Sequence, residues 1–296
     1  MVFSSVGDAV MLTDLDRRSI SLYKKLIDYC SKVGLKEKLE SMYGYIAFEN
    51  QFSFTELNER CYEFMYKYPK EEGIIKRREE LVNTIADLGA ICDRCRDFFL
   101  RPRGTFDKKK DTRIGEEIEN TFMKFLQQHE VNCRRGDVVN KNYPDFLILN
   151  EEGLEKFYIE LKYLASPFIK IRDIIGGGRE CYEALTLDVD EKLEKQRRIV
   201  EEEIEIPVFY VFWLDFPCVK GIFFMSADEV YHYVDSRGVE YKRRAREGNF
   251  IVRSGRKEEI GHRDKAYLPL PMMKDFGTLY GMATSRLNST RIGKSY

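Results

Sequence analysis

Two apolar runs on either side of a polar turn, between Tyr143 and Lys162, constrain this chain more than any other stretch. The first is Phe146-Leu147-Ile148-Leu149, entered through Tyr143-Pro144-Asp145. Asn150-Glu151-Glu152-Gly153 follows, and then Phe157-Tyr158-Ile159-Glu160-Leu161-Lys162. Apolar runs flanking a glycine-containing turn predict a β-hairpin. Side chains alternate along a strand, so Phe157, Ile159 and Leu161 share one face while Tyr158, Glu160 and Lys162 share the other. Asp145 opens the neighbouring strand and comes close to both charged residues. Two carboxylates and an ammonium at one sheet edge are a candidate site for a hard divalent cation and an anionic substrate.

The elements around the hairpin read as an α/β order. Thr112 to Glu130 predicts an amphipathic helix with Ile118, Phe122, Phe125 and Leu126 as its apolar stripe. Asn132 to Val139 predicts a first strand, with Asp137 marking a turn. After Lys162, Gly176-Gly177-Gly178 reads as a mobile loop beside the site, and no Gly-Lys-Ser/Thr follows it, so it is not a nucleotide-binding loop. Val189 to Glu203 is a charged helix that includes Lys192 and Gln196. Pro207 then introduces Val208 to Leu214, a continuous apolar run suited to a strand buried on both faces. Gly221 to Met225 predicts another strand, and Ala227 to Tyr233 a short helix.

Residues 1 to about 105 read mostly as helix and form a separate N-terminal region for recognition or dimerisation, with residues 106–296 as the second domain. Leu15, Ile20, Leu22, Leu26 and Ile27 recur at helical spacing, as do Leu57, Cys61, Phe64, Met65 and Tyr68. Ile74 to Phe99 predicts one long helix. Gly34, Gly44 and Pro69 punctuate the region.

Here the chain resembles the PD-(D/E)XK nuclease superfamily. Pro144-Asp145 matches its PD element and Glu160-Leu161-Lys162 its (D/E)XK element, within a stretch from about Thr112 to Leu214. Asp107-Lys108-Lys109, Asp190-Glu191-Lys192 and Glu240-Tyr241-Lys242 match the second element equally well. None of them follows a Pro-Asp that opens an apolar run, so context selects Glu160 and Lys162. The resemblance implies a restriction-endonuclease-like core, a mixed central sheet flanked by helices. It implies Mg²⁺ held by Asp145, Glu160 and the carbonyl of Leu161, with Lys162 acting on the attacking water or the phosphorus. It also implies a further acid on the helix before the hairpin, for which Glu119 is the choice and Glu116 the runner-up.

The expected activity is Mg²⁺-dependent hydrolysis of double-stranded DNA by a homodimer, as in type II restriction endonucleases. A structure-specific repair or recombination nuclease is the first alternative. A non-catalytic nucleic-acid-binding protein of the same fold is the second. Net charge is −1, with 49 Lys and Arg against 50 Asp and Glu, so any nucleic-acid surface must be a local patch. Lys109 and Lys110, in a basic break between Arg101 and Arg113, are one candidate. Arg243, Arg244, Arg246, Arg253 and Arg256, in the basic stretch from Arg237 to Lys265, are the other.

The N-terminus carries Asp8 and Asp14 and lacks the pattern of a secretory signal. Val208 to Leu214 is too short to span a bilayer. Seven scattered cysteines read as reduced thiols of a cytoplasmic protein, and Cys92-x-x-Cys95 has no second pair at zinc-finger spacing.

Overall fold

A computed structural model describes residues 11–101, 107–243, 250–259 and 264–285. The helices before the hairpin are α1 (Asp14–Lys32), α2 (Leu35–Tyr43), α3 (Glu56–Tyr62), α4 (Tyr68–Glu72), α5 (Arg78–Thr84), α6 (Leu88–Leu100) and α7 (Lys108–Gln128). Then come β1 (Cys133–Arg135), β2 (Phe146–Leu149), β3 (Glu155–Leu164), α8 (Ile171–Ile174), β4 (Ala184–Asp188), α9 (Glu191–Glu202), β5 (Val208–Asp215), β6 (Lys220–Ser226) and α10 (Ala227–Arg237). The chain ends with β7 (Tyr241–Lys242), β8 (Phe250–Arg253), β9 (Arg256–Glu259), β10 (Asp264–Pro269), β11 (Lys274–Asp275) and α11 (Phe276–Thr284).

A six-stranded sheet in the order β1-β2-β3-β5-β6-β11 is the centre of an α/β architecture. The β3–β5 pairing is parallel, and the other neighbours are antiparallel. The parallel pair needs a crossover, which the chain from α8 to α9 supplies. β5 is buried at every position, as its unbroken apolar run predicts. Tyr210, Phe212 and Leu214 face one core, and Phe209, Val211 and Trp213 face the other.

The second of these cores is closed by α1, α2, α7 and α11, with the full predicted stripe of α7 buried at Ile118, Phe122, Phe125 and Leu126. The first is closed by the chain from α3 to α6, by α9 and α10, and by a smaller sheet, β4-β10-β7. Both cores therefore mix residues from before and after position 105. The N-terminal helices thus form part of both covers of the sheet.

Several local expectations are corrected. Ile74 to Phe99 is two helices, not one, because Asp87 adopts φ +64° and breaks the run; Asp is among the few residues that enter the left-handed region readily. Pro69 does not stop its helix. It sits in the first turn of α4, where its missing N–H is tolerated, directly after a π-helical turn at Glu63–Lys67. The strand expected over Asn132 to Val139 spans only Cys133–Arg135, and Val138 and Val139 are exposed. Lys109 and Lys110 lie in the first turn of α7, capped by Asp107, not in a linker. Gly176, Gly177 and Gly178 all take positive φ, in a turn that only glycine makes without strain.

Candidate active site

The expected hairpin forms, with Phe146 opposite Ile159. Phe157, Ile159 and Leu161 pack into the core under α1, α7 and α11, which turns Glu160 and Lys162 toward α9. Leu161 lies two residues past the last β2 partner. Its amide instead donates to Asp145 Oδ2 at 2.8 Å, so the Asp145 carboxylate extends the ladder beyond the strand. N–H and C=O of one strand residue point to the same side, which leaves the Leu161 carbonyl on the edge that Asp145 occupies.

Gly136 fixes the other side of Asp145. Its amide donates to the Asp145 carbonyl at 2.9 Å. A Cβ at position 136 would lie 2.1 Å from the Pro144 carbonyl oxygen, so no other residue fits without moving the Pro144-Asp145 backbone. Arg135, one residue earlier, bonds Glu119 at 2.5 Å and Asn120 at 2.7 Å and stacks over the Phe146 ring. α7 is thereby tied to the entrance of β2.

Glu160 is 1% exposed and fully engaged. Lys162 donates to Oε1, Lys192 lies 3.5 Å from the same oxygen, and Gln196 donates to Oε2 at 2.8 Å. Burial opposes its ionisation, but the Lys162 and Lys192 ammoniums and the Gln196 bond outweigh burial and hold the carboxyl below the usual range. Asp145 shows the reverse balance. Burial and the neighbouring charges of Glu160 and Glu119 push its carboxyl well up, against the pull of Lys162 and the Leu161 amide. Lys162 is half-buried, and the desolvation works against its charge, yet Glu160 and Asp145 raise its pKa.

The structure thus brings Asp145, Glu160 and Lys162 together, with the charge of Glu119 felt at both Asp145 and Lys162. Glu116 is exposed on α7. The acids of the rival motifs are engaged elsewhere. Asp107 caps α7, Asp190 caps α9, and Glu240 pairs with Arg179 at 2.6 Å. Asp137 accepts from the amides of Val139 and Asn140, the turn its sequence context predicts. Of the basic candidates, Lys109, Lys110 and Arg256 are exposed and Arg243 is half-buried. Arg253 and Arg256 flank the tight turn of the β8–β9 hairpin. Arg244 and Arg246 lie outside the described residues.

Sequence reasoning missed Lys192, Gln196, Arg135 and Gly136. Lys192 and Gln196 are four apart in α9, hence on one helix face, and that spacing was a readable signal. The part of Gly136 depends on a contact with Pro144 across a loop, which no local pattern encodes.

Among the described residues, no three His, Cys, Asp or Glu side chains are grouped so as to hold a metal ion. The candidate donors, Asp145, Glu160 and the Leu161 carbonyl, are all hard oxygens. Such a set fits a Mg²⁺ ion that completes its octahedron with water and substrate phosphate, not a closed protein cage. The Glu160 and Glu119 charges crowd Asp145, and a cation placed beside it would relieve that repulsion. All seven cysteines are unpaired thiols. Compared with known proteins, the chain matches no family model, and no curated protein is detectably similar to it.

Proposed function

We propose that this protein is a Mg²⁺-dependent DNA endonuclease with a restriction-endonuclease-like core, of the sequence-specific type II kind, acting on double-stranded DNA as a homodimer. The observation that carries the reading is the bond from the Leu161 amide to the Asp145 carboxylate, which joins the two halves of the sequence motif at one sheet edge. Asp145, Glu160 and the Leu161 carbonyl would hold the ion, with Glu119 next to them. When bound, Mg²⁺ lowers the pKa of a water molecule and neutralises charge that grows on the phosphate.

The chain's own groups supply the rest. Glu160 is kept ionised by its two lysines and Gln196, so an anionic ligand is ready without a proton having to leave. Lys162 is kept charged by Glu160 and Asp145, and its ammonium is a compact donor for the attacking water or the phosphoryl oxygens. The Leu161 amide orients Asp145 before any ligand arrives, which lowers the ordering cost of binding. Phosphodiester hydrolysis is slow enough uncatalysed that barriers must fall by as much as ~20 kcal/mol, of which one preorganised group supplies only about 3–4 kcal/mol, so these groups would act together with the ion. Among the described residues, no helix is long and apolar enough to cross a membrane.

Incubation of the purified protein with mixed plasmid and genomic DNA, with and without Mg²⁺, tests the proposal. Discrete bands that require Mg²⁺ are expected. A smear would favour a nuclease without sequence preference, and cutting only of branched substrates a repair or recombination nuclease. An intact substrate under all conditions would leave a non-catalytic nucleic-acid-binding protein.

A further inference from the structure

Behind the candidate site, four buried side chains form a directed hydrogen-bond chain. Gln196 Nε2 donates to Glu160 Oε2 at 2.8 Å, the Tyr210 hydroxyl donates to Gln196 Oε1 at 2.6 Å, and the Tyr210 and Tyr231 hydroxyls lie 3.3 Å apart. The residues come from β3, α9, β5 and α10. Their exposures are 1% for Glu160, 2% for Gln196, 0% for Tyr210 and 3% for Tyr231.

The direction of the chain is forced by donor and acceptor count. An ionised carboxylate only accepts, so the amide nitrogen of Gln196 must face Glu160 and its oxygen must face Tyr210. Tyr210 has one hydroxyl proton, given to that amide oxygen, so Tyr231 supplies the proton of the last link. No member can turn around without leaving a buried polar group unpaired, which costs about 1–3 kcal/mol. The two helices that carry Gln196 and Tyr231 are locked together beside it. Arg197 of α9 grips Asp235 of α10 through two bonds, at 2.7 and 2.9 Å, and its guanidinium lies 5.3 Å from the Tyr231 ring centre.

The two oxygens of Glu160 are therefore treated differently. Oε2 is held from behind by a neutral amide, while Oε1 is shared by Lys162 and Lys192. We propose that Gln196 is a positioning residue for Glu160, its amide set by Tyr210 and Tyr231, so that Oε1 is kept on the Lys162 side, where ion and phosphate are handled. This rests on the nuclease reading above. A Gln196 that only filled space would accept an isosteric replacement, whereas a Gln196 that donates would not.

The test uses the full chain and two readouts: Mn²⁺ binding by calorimetry without DNA, and single-turnover plasmid cleavage at saturating Mg²⁺. Tyr210→Phe removes one hydroxyl that touches neither ion nor substrate. It should weaken Mn²⁺ binding and slow cleavage by on the order of tenfold, with DNA affinity in Ca²⁺ unchanged. Tyr231→Phe should act in the same direction with a smaller effect. Gln196→Glu, equal in size but without the donor, should lose more than Tyr210→Phe; if it fails to fold, the tyrosine variants still decide. Wild-type metal affinity and rate in Tyr210→Phe would overturn the proposal. So would a Tyr210→Phe whose DNA affinity and melting temperature fall in step with its rate, which is a structural effect. A wild-type protein that neither binds Mn²⁺ nor cuts DNA would overturn the nuclease reading, and this inference with it.

Discussion

The Asp145 carboxylate accepts the backbone amide of Leu161 at 2.8 Å, so the acid that opens β2 is bonded to the residue between Glu160 and Lys162 on β3. The bond does two things. It replaces the strand partner that Leu161 lacks beyond Ile159, and it sets one acid against the other. Hairpin register and site geometry are thus one feature, and disturbing either disturbs both.

Gly136 is the cheapest place to disturb it. In Gly136→Ala the new Cβ would meet the Pro144 carbonyl oxygen at 2.1 Å, with backbone on both sides of the contact. Loss of roughly 2 kcal/mol or more is expected, at the upper end for overpacking, together with loss of cleavage as Asp145 shifts. Urea denaturation and plasmid cleavage measure the two. An alanine variant with wild-type stability would mean that the Pro144-Asp145 backbone is not held by Gly136.

The two ammoniums on Glu160 predict non-additivity. Lys162→Ala leaves Lys192 near the carboxylate, and Lys192→Ala leaves Lys162. Each single change should cost about 1 kcal/mol of stability. The double variant strands a buried charge and should cost about 3–5 kcal/mol, more than the sum. Cleavage should fall on the order of a hundredfold in Lys162→Ala, as for loss of one preorganised transition-state group, and less in Lys192→Ala. A double-mutant cycle with strictly additive stabilities would show that the lysines do not share Glu160.

Much of the fold and of the site is legible in the sequence. The hairpin, the stripe of α7 and the doubly buried β5 follow from apolar periodicity, because each buries the faces its pattern marks. The same pattern singles out Glu160 and Lys162 from three rival motifs. What stays hidden depends on contacts between distant segments. β4 pairs with β10 across more than seventy positions, and its short Ala184–Asp188 run carries no hairpin signal. Likewise Ile74 to Phe99 keeps helical periodicity straight through the Asp87 break, because both halves pack on the same core.

A buried acid away from the site sets a pH dependence. Glu183 is 2% exposed, and burial pushes its carboxyl from the ordinary 4.5 up to about 7, with Arg179 opposing and the charges of Glu180 and Glu240 adding to the rise. Below pH 4.5 both folded and unfolded chains hold this proton. Between 4.5 and 7 only the folded chain does, so this contribution to stability declines as pH rises through that window and is gone above it. The difference of 2.5 units corresponds to about 3 kcal/mol. Glu183→Gln should flatten this part of the profile and melt higher than wild type at pH 8. Matching stability-versus-pH curves for the two proteins would show that Glu183 is ionised in the fold at neutral pH.

Asp145→Asn tests most directly whether Asp145 is an essential acid of a metal-dependent phosphodiesterase site. The amide oxygen of Asn keeps the bond from the Leu161 N–H, so the fold should hold within about 1 kcal/mol. The negative charge is gone, so ion binding should fail. Single-turnover plasmid cleavage in Mg²⁺ is the measurement, with a melting curve as control. The expected result is a rate at least about a hundredfold below wild type at unchanged melting temperature, and no wild-type cleavage once the ion is chelated. A folded Asp145→Asn protein that keeps more than about a tenth of the wild-type rate, a barrier change below ~1.4 kcal/mol, would contradict that role for Asp145.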